Sequence, residues 1–548
     1  MMRTHWTTTA LLGALLLGTG APTLAAVCGD INNNTVVDSI DSVGIATVVL
    51  GGGTPIGSHC GGLGTLDCGD LVDDNVINSQ DLVASLQVAV GIDTLLTPCT
   101  GFGTTIACGT NVSGTITANQ VWPGGCDTFV DGTVLVGNGA VVTVSAGATV
   151  KGRKSSTNGT PSALVVLRGS KINAAGTAGS PIVMTSDQAP GARGVGDWGG
   201  LSLLGAAPTN FPGGEGAAEG LPPGSANFGG SQPNDSSGQV RFTRIEFSGV
   251  EFSTDNELNV FTMNGVGRGT TIDHVQANVG FDDCIEWFGG TVRSKYLVAS
   301  ACRDDLFDWQ IGYTGATQFG LAYQNGSIAS GGGRNGFEAD NNENGFNNLP
   351  RSNPDFCNMT VVGCVQQGCG STGSGANLRR GTAGKIANSI IMDWPDAALD
   401  LDNDETMANA CTNSTTLKTT EPALRVQDSI MYNSGPGGTD YAIGSGASPC
   451  SAAQAYGLWV ANTGLTPAEG VAGTNPLAGI TASYPTVVDD RYFPVGGGIA
   501  DNAPDCSLVE PGFFESAPYV GAFVPGGSTG GGDNWLSTAG GWISFAIN

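Results

Sequence analysis

Two short stretches of this chain repeat each other at a fixed distance: DDCIEW at Asp282 is answered by DDLFDW at Asp304, 22 residues on. Asp282, Asp283, Glu286 and Trp287 each meet a like residue at Asp304, Asp305, Asp308 and Trp309. About 22 residues is one turn of a parallel β-helix, whose coils stack at roughly 4.8 Å. Coils that touch only their neighbours build a quasi-linear solenoid. The repeat therefore predicts a mainly β chain folded as a parallel β-helix.

The surrounding sequence fits that architecture. From about Gly103 onward, short apolar runs alternate with Gly, Asn, Ser and Thr, as in GAVVTVSAGATVKG from Gly139 and ALVVLRGSKINAAG from Ala163. Glycine is 88 of 548 residues, about twice its usual share, yet hydrophobic residues still make up 40%. A chain too polar to bury a core would lack those runs, so short strands joined by turns are expected rather than disorder. The stretch 207–237, rich in Gly, Pro and Asn, reads as an insertion between coils that could line a groove.

Strand alternation assigns the repeat's side chains. With Ile285, Trp287, Phe307 and Trp309 inside, Asp282, Glu286, Asp304 and Asp308 are expected to project outward on one face. Stacked coils would hold these carboxylates in pairs about 5 Å apart. Paired carboxylates repel, and must bind a cation or share protons. Asp255 and Glu257 upstream, with Glu338, Asp340 and Glu343 downstream, could extend the stripe. Glu286 and Asp308 are the metal-ligand candidates within it. Trp198, Trp287, Trp309 and Trp394 are expected in the core, and the segment carrying Trp535 and Trp542 is expected to cap the last coil.

The FDDCIE segment is similar to the paired-aspartate motif of polygalacturonases, right-handed β-helices that use Asp as acid and base on sugars. That resemblance makes Asp282 and Asp283, with their repeat mates Asp304 and Asp305, the catalytic candidates. The Gly-His-Gly and Arg-Ile-Lys motifs of that family do not occur in this sequence. β-Helical pectate-type lyases use calcium held by acids with Arg or Lys as base, which points to Arg303, or to Arg379 and Arg380. Residues 103–548 also look like a broad group of secreted bacterial β-helix proteins, through GDWGGLSLLG at Gly196, RNGFEADNN at Arg334 and DNWLSTAGGWISF at Asp533. This likeness implies a right-handed coil and an extracellular setting.

The N-terminus carries Arg3 and His5, an apolar run from Ala10 to Leu17 and small residues up to Ala26. This is the layout of a cleavable signal peptide, too short to span a bilayer. Fourteen cysteines in an exported chain favour disulfides. With three histidines in all, one of them in the signal, a His-based metal site or Ser-His triad has little to draw on. Acids outnumber bases 48 to 21, for a net charge of −27, which disfavours nucleic acid and anionic membrane as partners.

The first mature segment repeats at an offset of forty residues, CGDINNNTVVDSIDSVG at Cys28 against CGDLVDDNVINSQDLVA at Cys68. Oxygen donors fall at calcium-loop spacing: Asp30, Asn32, Asn34, the Val36 carbonyl and Asp41 in the first copy, Asp70, Asp74, the Val76 carbonyl and Asp81 in the second. An apolar, helix-length segment follows each loop and ends at Gly. Duplicated loops of this form resemble dockerin modules. The resemblance implies calcium-dependent folding and a cohesin-like receptor as partner. The spacing suggests bridges Cys28–Cys60 and Cys68–Cys99.

The expected organisation is a signal peptide over 1–26, a dockerin-like calcium module over 27–99, a β-helix over 100–525 and a Gly-rich linker with a terminal segment over 526–548. Two functions fit. One is engagement of extracellular polysaccharide at the acidic face, with hydrolase or lyase activity; the other is a non-catalytic surface or assembly role with calcium held structurally.

Overall fold

A computed structural model describes residues 103–548 apart from 222–223, 225, 254–255, 329–333, 370–371, 439–440, 469–474, 478–483, 486–489, 507–511, 529–534, 537–541 and 548. The expected signal peptide, the dockerin-like module with its ligand residues and both N-terminal cysteine pairs, and Asp255, lie outside the described residues. Residues 103–548 make one compact unit.

Its strands stack in parallel, coil upon coil. One sheet of 11 strands runs from Thr115–Ile116 to Ala442–Ile443, and a second of 18 strands wraps the other sides. The sequence dictates this in the early coils. Val141–Val144 and Thr149–Gly152 alternate half-buried and buried, so every second side chain enters the interior while its neighbour faces out. The predicted repeat is one coil step: Ile285 pairs with Phe307, Glu286 with Asp308 and Trp287 with Trp309.

Trp287 and Trp309 are buried inside the coil, as expected, and so are Trp198 and Trp394. Trp309 stacks on Phe356 at 4.9 Å and Trp287 on Tyr313 at 5.4 Å, while Phe307 stacks on Phe337 of the next coil at 5.6 Å.

The second sheet is bent by a column of left-handed residues, one per coil. Phe242, His274, Tyr296, Phe319, Asn358, Asn388 and Asp428 all have φ between 42° and 63°, and the register aligns them. Bulky residues rarely adopt this conformation, and here each kinks its strand so that the coil can turn. The kink throws the first four rings outward into a stack, with Phe242 on His274 at 4.2 Å, His274 on Tyr296 at 4.3 Å and Tyr296 on Phe319 at 5.0 Å.

An outward aromatic stripe needs cover, and the C-terminal segment supplies it. Gln276 exchanges two hydrogen bonds with Ser544, at 2.7 and 2.8 Å, and Gln318 does the same with Glu515 at 2.9 and 2.7 Å. Trp542 sets its edge against Phe242 and His274. The described residues of the tail thus run back along the flank of the coil stack, on the aromatic stripe and not over the last coil. Five disulfides join all the described cysteines, and Cys357–Cys506 pins the tail's approach. Among the described residues no helix is long and apolar enough to cross a membrane.

Candidate functional site

The repeat's first acids sit at a turn, and the second of each pair has a backbone partner. Asn259 Oδ1 accepts the Asp283 N–H at 3.1 Å, Asp283 Oδ1 accepts the Asp305 N–H at 2.8 Å, Asp305 Oδ1 accepts the Asn335 N–H, and Asn335 Oδ1 accepts the Ser374 N–H at 2.9 Å. Each coil's turn residue thereby holds the next coil's backbone. Asp283 and Asp305 are buried in this ladder.

Three residues further along, the outward column reads Thr262, Glu286, Asp308, Glu338, Asn377 and Asp400. Sequence alternation expects Glu286 and Asp308 to project outward, and they are nevertheless only 3% and 6% exposed. They are on the outer face, and that face is roofed. The 207–237 insertion folds back over it: Phe228 packs its edge on Phe288, the Gly229 N–H reaches the Gly205 carbonyl and the Asn210 N–H reaches the Ile311 carbonyl. Leu221, Ala226 and Phe228 join Leu204, Phe288 and Ile311 in a separate apolar cluster outside the coil.

Under the roof, two sets of carboxylates converge. Asp282, Asp283 and Asp304 can bring one oxygen each within 4.8 Å of one another, and so can Asp283, Glu286 and Asp308. Glu286 accepts from Asn259 Nδ2 and, at 2.9 Å, from Gln310 Nε2. Asp304 Oδ1 and Asp308 Oδ1 are buried without a hydrogen-bond partner. Leaving a charged oxygen desolvated and unpaired is costly.

Burial and mutual repulsion both oppose ionisation. Burial, then Asp304, Glu257 and Glu219, raise Asp282 to about 8. Burial lifts Asp304 to about 6 although Arg379 and Arg334 pull it down. Burial, then Glu257, raises Glu219 to about 7. Asp283, Glu286, Asp305 and Asp308 are pushed well above the ordinary carboxylate range, burial again being the main cause.

Guanidinium groups close one side of the acidic row. Arg379 binds Glu338 and, at 2.9 Å, Asp340; Arg380 binds Asp340 at 2.6 Å. Arg303 lies over the Phe281 ring at 5.0 Å. The resemblance to pectate-type lyases named Arg379 and Arg380 but could not show that the same carboxylate, Asp340, ties them.

Beside the row opens a cleft of about 880 Å³. Phe211, Phe288, Leu221 and Ile311 give it apolar surface, Gln310, Asn342, Asn344 and Asn348 give it amides, and Glu219, Glu257 and Glu343 give it charge. Asn210 fixes the insertion to the facing loop by donating to the Asn341 carbonyl and Oδ1 at 3.0 and 2.9 Å and accepting from Asn342 Nδ2 at 2.9 Å. Glu219 and Asn210 were not singled out by sequence reasoning. No repeat marks them, because both sit in the insertion.

The donor set is oxygen only. Hard divalent cations such as calcium take six to eight oxygens, largely from carboxylates and amide carbonyls. Two partnerless buried oxygens among converging carboxylates fit such an ion, and a Zn²⁺-type site of N and S ligands has nothing to build on here.

This architecture defines a parallel β-helix protein with an acidic, roofed cleft on its outer face. The chain belongs to the pectate-lyase-like beta helix domain family, whose model matches residues 114–436, more than half of its length. No curated protein matches it. Among solved structures it shows a likeness to the Dettilon tailspike protein at 13% identity and a TM-score of 0.20, over 65% of this chain and 61% of that one. The alignment thus spans about three fifths of the tailspike chain, and at that score it carries no argument.

Proposed function

We propose that this is an exported, calcium-loaded β-helix protein that binds extracellular polysaccharide in the cleft beside Glu286 and Asp308. The observation that carries the reading is the buried, partnerless Asp308 Oδ1 among converging carboxylates, next to a cleft of apolar rings and amides. Apolar rings suit the C–H faces of a pyranose and amides suit its hydroxyls. A bound calcium would supply charge neutralisation and open coordination positions for ligand oxygens. The family match supports the saccharide class, and five disulfides support an oxidising compartment. The N-terminal loops with Asp30 and Asp70 would add calcium of their own and could serve a cohesin-like receptor.

Isothermal titration against neutral and acidic polysaccharides, with calcium and with chelator, tests this. Calcium-dependent binding that Glu219→Gln or Gln310→Ala weakens is expected. Absence of binding to every polysaccharide in both conditions would overturn the reading.

A second reading has one observation in its favour. Asp282 and Asp304 are close and titrate differently, at about 8 and about 6, as an acid and its partner carboxylate do in glycoside hydrolysis. A cation would ionise both and make them ligands instead. Release of reducing ends in chelator, lost in Asp282→Asn, would favour hydrolysis. Arg379 is engaged by Glu338 and Asp340, which commits its N–H groups to those carboxylates.

A further inference from the structure

We infer that the cleft is built for an uncharged glycan and rejects uronate polymers, with Glu219 and Glu257 as the residues that set this preference. The inference rests on the polysaccharide reading above and adds the charge class of the saccharide.

The apolar wall is held in place by the chain itself. The Phe211 ring lies against Gly216, where a Cβ would meet it at 2.3 Å, and it meets Phe228 edge to face with centroids 5.5 Å apart. Phe228 in turn sets its edge on Phe288 at 6.3 Å. A flat apolar ring fixed in this way suits the C–H face of a pyranose. The cleft, of about 880 Å³, has room for a few such sugar rings.

The amides are fixed as well. Gln310 donates one N–H to Glu286 at 2.9 Å, and Asn348 donates one to the Asn210 carbonyl at 3.2 Å. Each amide keeps a second N–H and a carbonyl oxygen that no described residue engages. Such groups match the mixed donors and acceptors of sugar hydroxyls and offer no charge to a carboxylate.

Charge decides the class. Three carboxylates, Glu219, Glu257 and Glu343, line the cleft, and Arg380 is the only cation among the described lining residues. Arg380 is already engaged by Asp340 at 2.6 Å and has Glu343 at 3.9 Å. Glu219 accepts the backbone N–H of Glu257, which sets the two glutamates side by side, and the Glu257 charge opposes ionisation of Glu219. A uronate polymer carries a carboxylate on every ring, and each one that loses its water needs a cation or several donors in exchange. This wall supplies neither, and it adds repulsion from two neighbouring acids at reduced dielectric. A sugar hydroxyl in the same place donates to those acids instead. Glu219 and Glu257 therefore hold neutral rings and turn charged ones away.

Titration calorimetry of the full chain tests this, in calcium and in chelator. Cello-, xylo- and manno-oligosaccharides serve as neutral probes, and oligogalacturonate of the same length as the charged one. At least one neutral probe is expected to bind about tenfold or more tightly than oligogalacturonate in both conditions. Glu219→Gln combined with Glu257→Gln is expected to narrow that ratio to about twofold. Glu421→Gln combined with Glu515→Gln removes the same two charges from residues that do not line the cleft, and should leave the ratio unchanged. Oligogalacturonate bound as tightly as the neutral probes, in either condition, would overturn the inference while the polysaccharide reading stands. A ratio that the cleft variant leaves unmoved, or that both double variants narrow equally, would also overturn it; the second result would assign the preference to the net charge of −27. Failure of every probe to bind would sink the polysaccharide reading itself. Thermal melting verifies that the variants fold; if the Glu219 and Glu257 pair does not, Glu343→Gln on the exposed rim of the same wall decides.

Discussion

Asp283 Oδ1 accepts the backbone N–H of Asp305 at 2.8 Å, so the two residues that sequence identity pairs across 22 positions are joined directly, side chain to backbone, across one coil step. Asp305 repeats the contact upward to Asn335. The ladder needs an acceptor at each rung, and it does not need a charge.

Asp305→Asn should therefore melt close to the wild type, while Asp305→Ala leaves the buried Asn335 N–H unpaired and costs about 1–3 kcal/mol. Thermal or denaturant unfolding of the two variants side by side checks this. Equal destabilisation by Asn and Ala would show that charge, and not the accepted hydrogen bond, is what the position contributes.

Stability without metal should fall as pH rises. Asp282, Glu219, Asp304 and Asp340 are raised to about 8, 7, 6 and 6 from ordinary values of 3.8 or 4.5. A group whose folded-state value lies above its unfolded one stabilises the fold when protonated. That contribution is complete below about pH 4 and is lost as pH rises through 6 to 8. Chelated protein is expected to melt several degrees lower at pH 8 than at pH 5, and saturating calcium to remove most of the difference. A flat profile in chelator would contradict it.

Asn210→Ala should loosen the cleft wall without disturbing the coil. It removes two donated hydrogen bonds and one accepted one between the insertion and the facing loop, where unpaired buried amides cost about 1–3 kcal/mol each. Faster hydrogen exchange over 211–221 and weaker saccharide binding are expected, with exchange in the strands at Ile285 and Phe307 unchanged.

Removing the Cys357–Cys506 bridge by double substitution to Ser should release the tail. The bridge closes 149 residues, and a native disulfide of this kind contributes about 2–5 kcal/mol. Limited proteolysis should then cut first within the segment that carries Glu515 and Ser544, and quenching of tryptophan emission should rise as Trp535 and Trp542 leave the aromatic stripe.

Much of the scaffold was legible before the structure. The 22-residue offset gave the coil step, and alternation placed Trp287 and Trp309 inside. It failed on exposure. A period of two tells which face of a strand a side chain takes, but not what covers that face, and the cover over Glu286 and Asp308 comes from the separate 207–237 insertion earlier in the chain. The arginine partners were hidden for a similar reason: Asp340 meets Arg379 and Arg380 at separations of 39 and 40 residues, set by irregular loops that carry no repeat.

The tail was misread because the stripe it covers has no pattern to find. Its members, from Phe242 to Phe319, are separated by 22 to 32 positions and owe their outward aim to a left-handed backbone that bulky residues seldom adopt. No glycine, the usual marker of that conformation, stands among the four residues of the stripe.

The coil register has one more consequence. Successive coils pair across as few as 16 residues, from Thr104 to Gln120, and as many as 66, from Ile172 to Gly238, with the strands parallel throughout. What lies between strands is thus free to lengthen, shorten or be grafted without shifting a neighbour's pairing. The insertion that walls the cleft is such a cassette, and a lineage could exchange what the cleft recognises while the acidic floor beneath it stays as inherited.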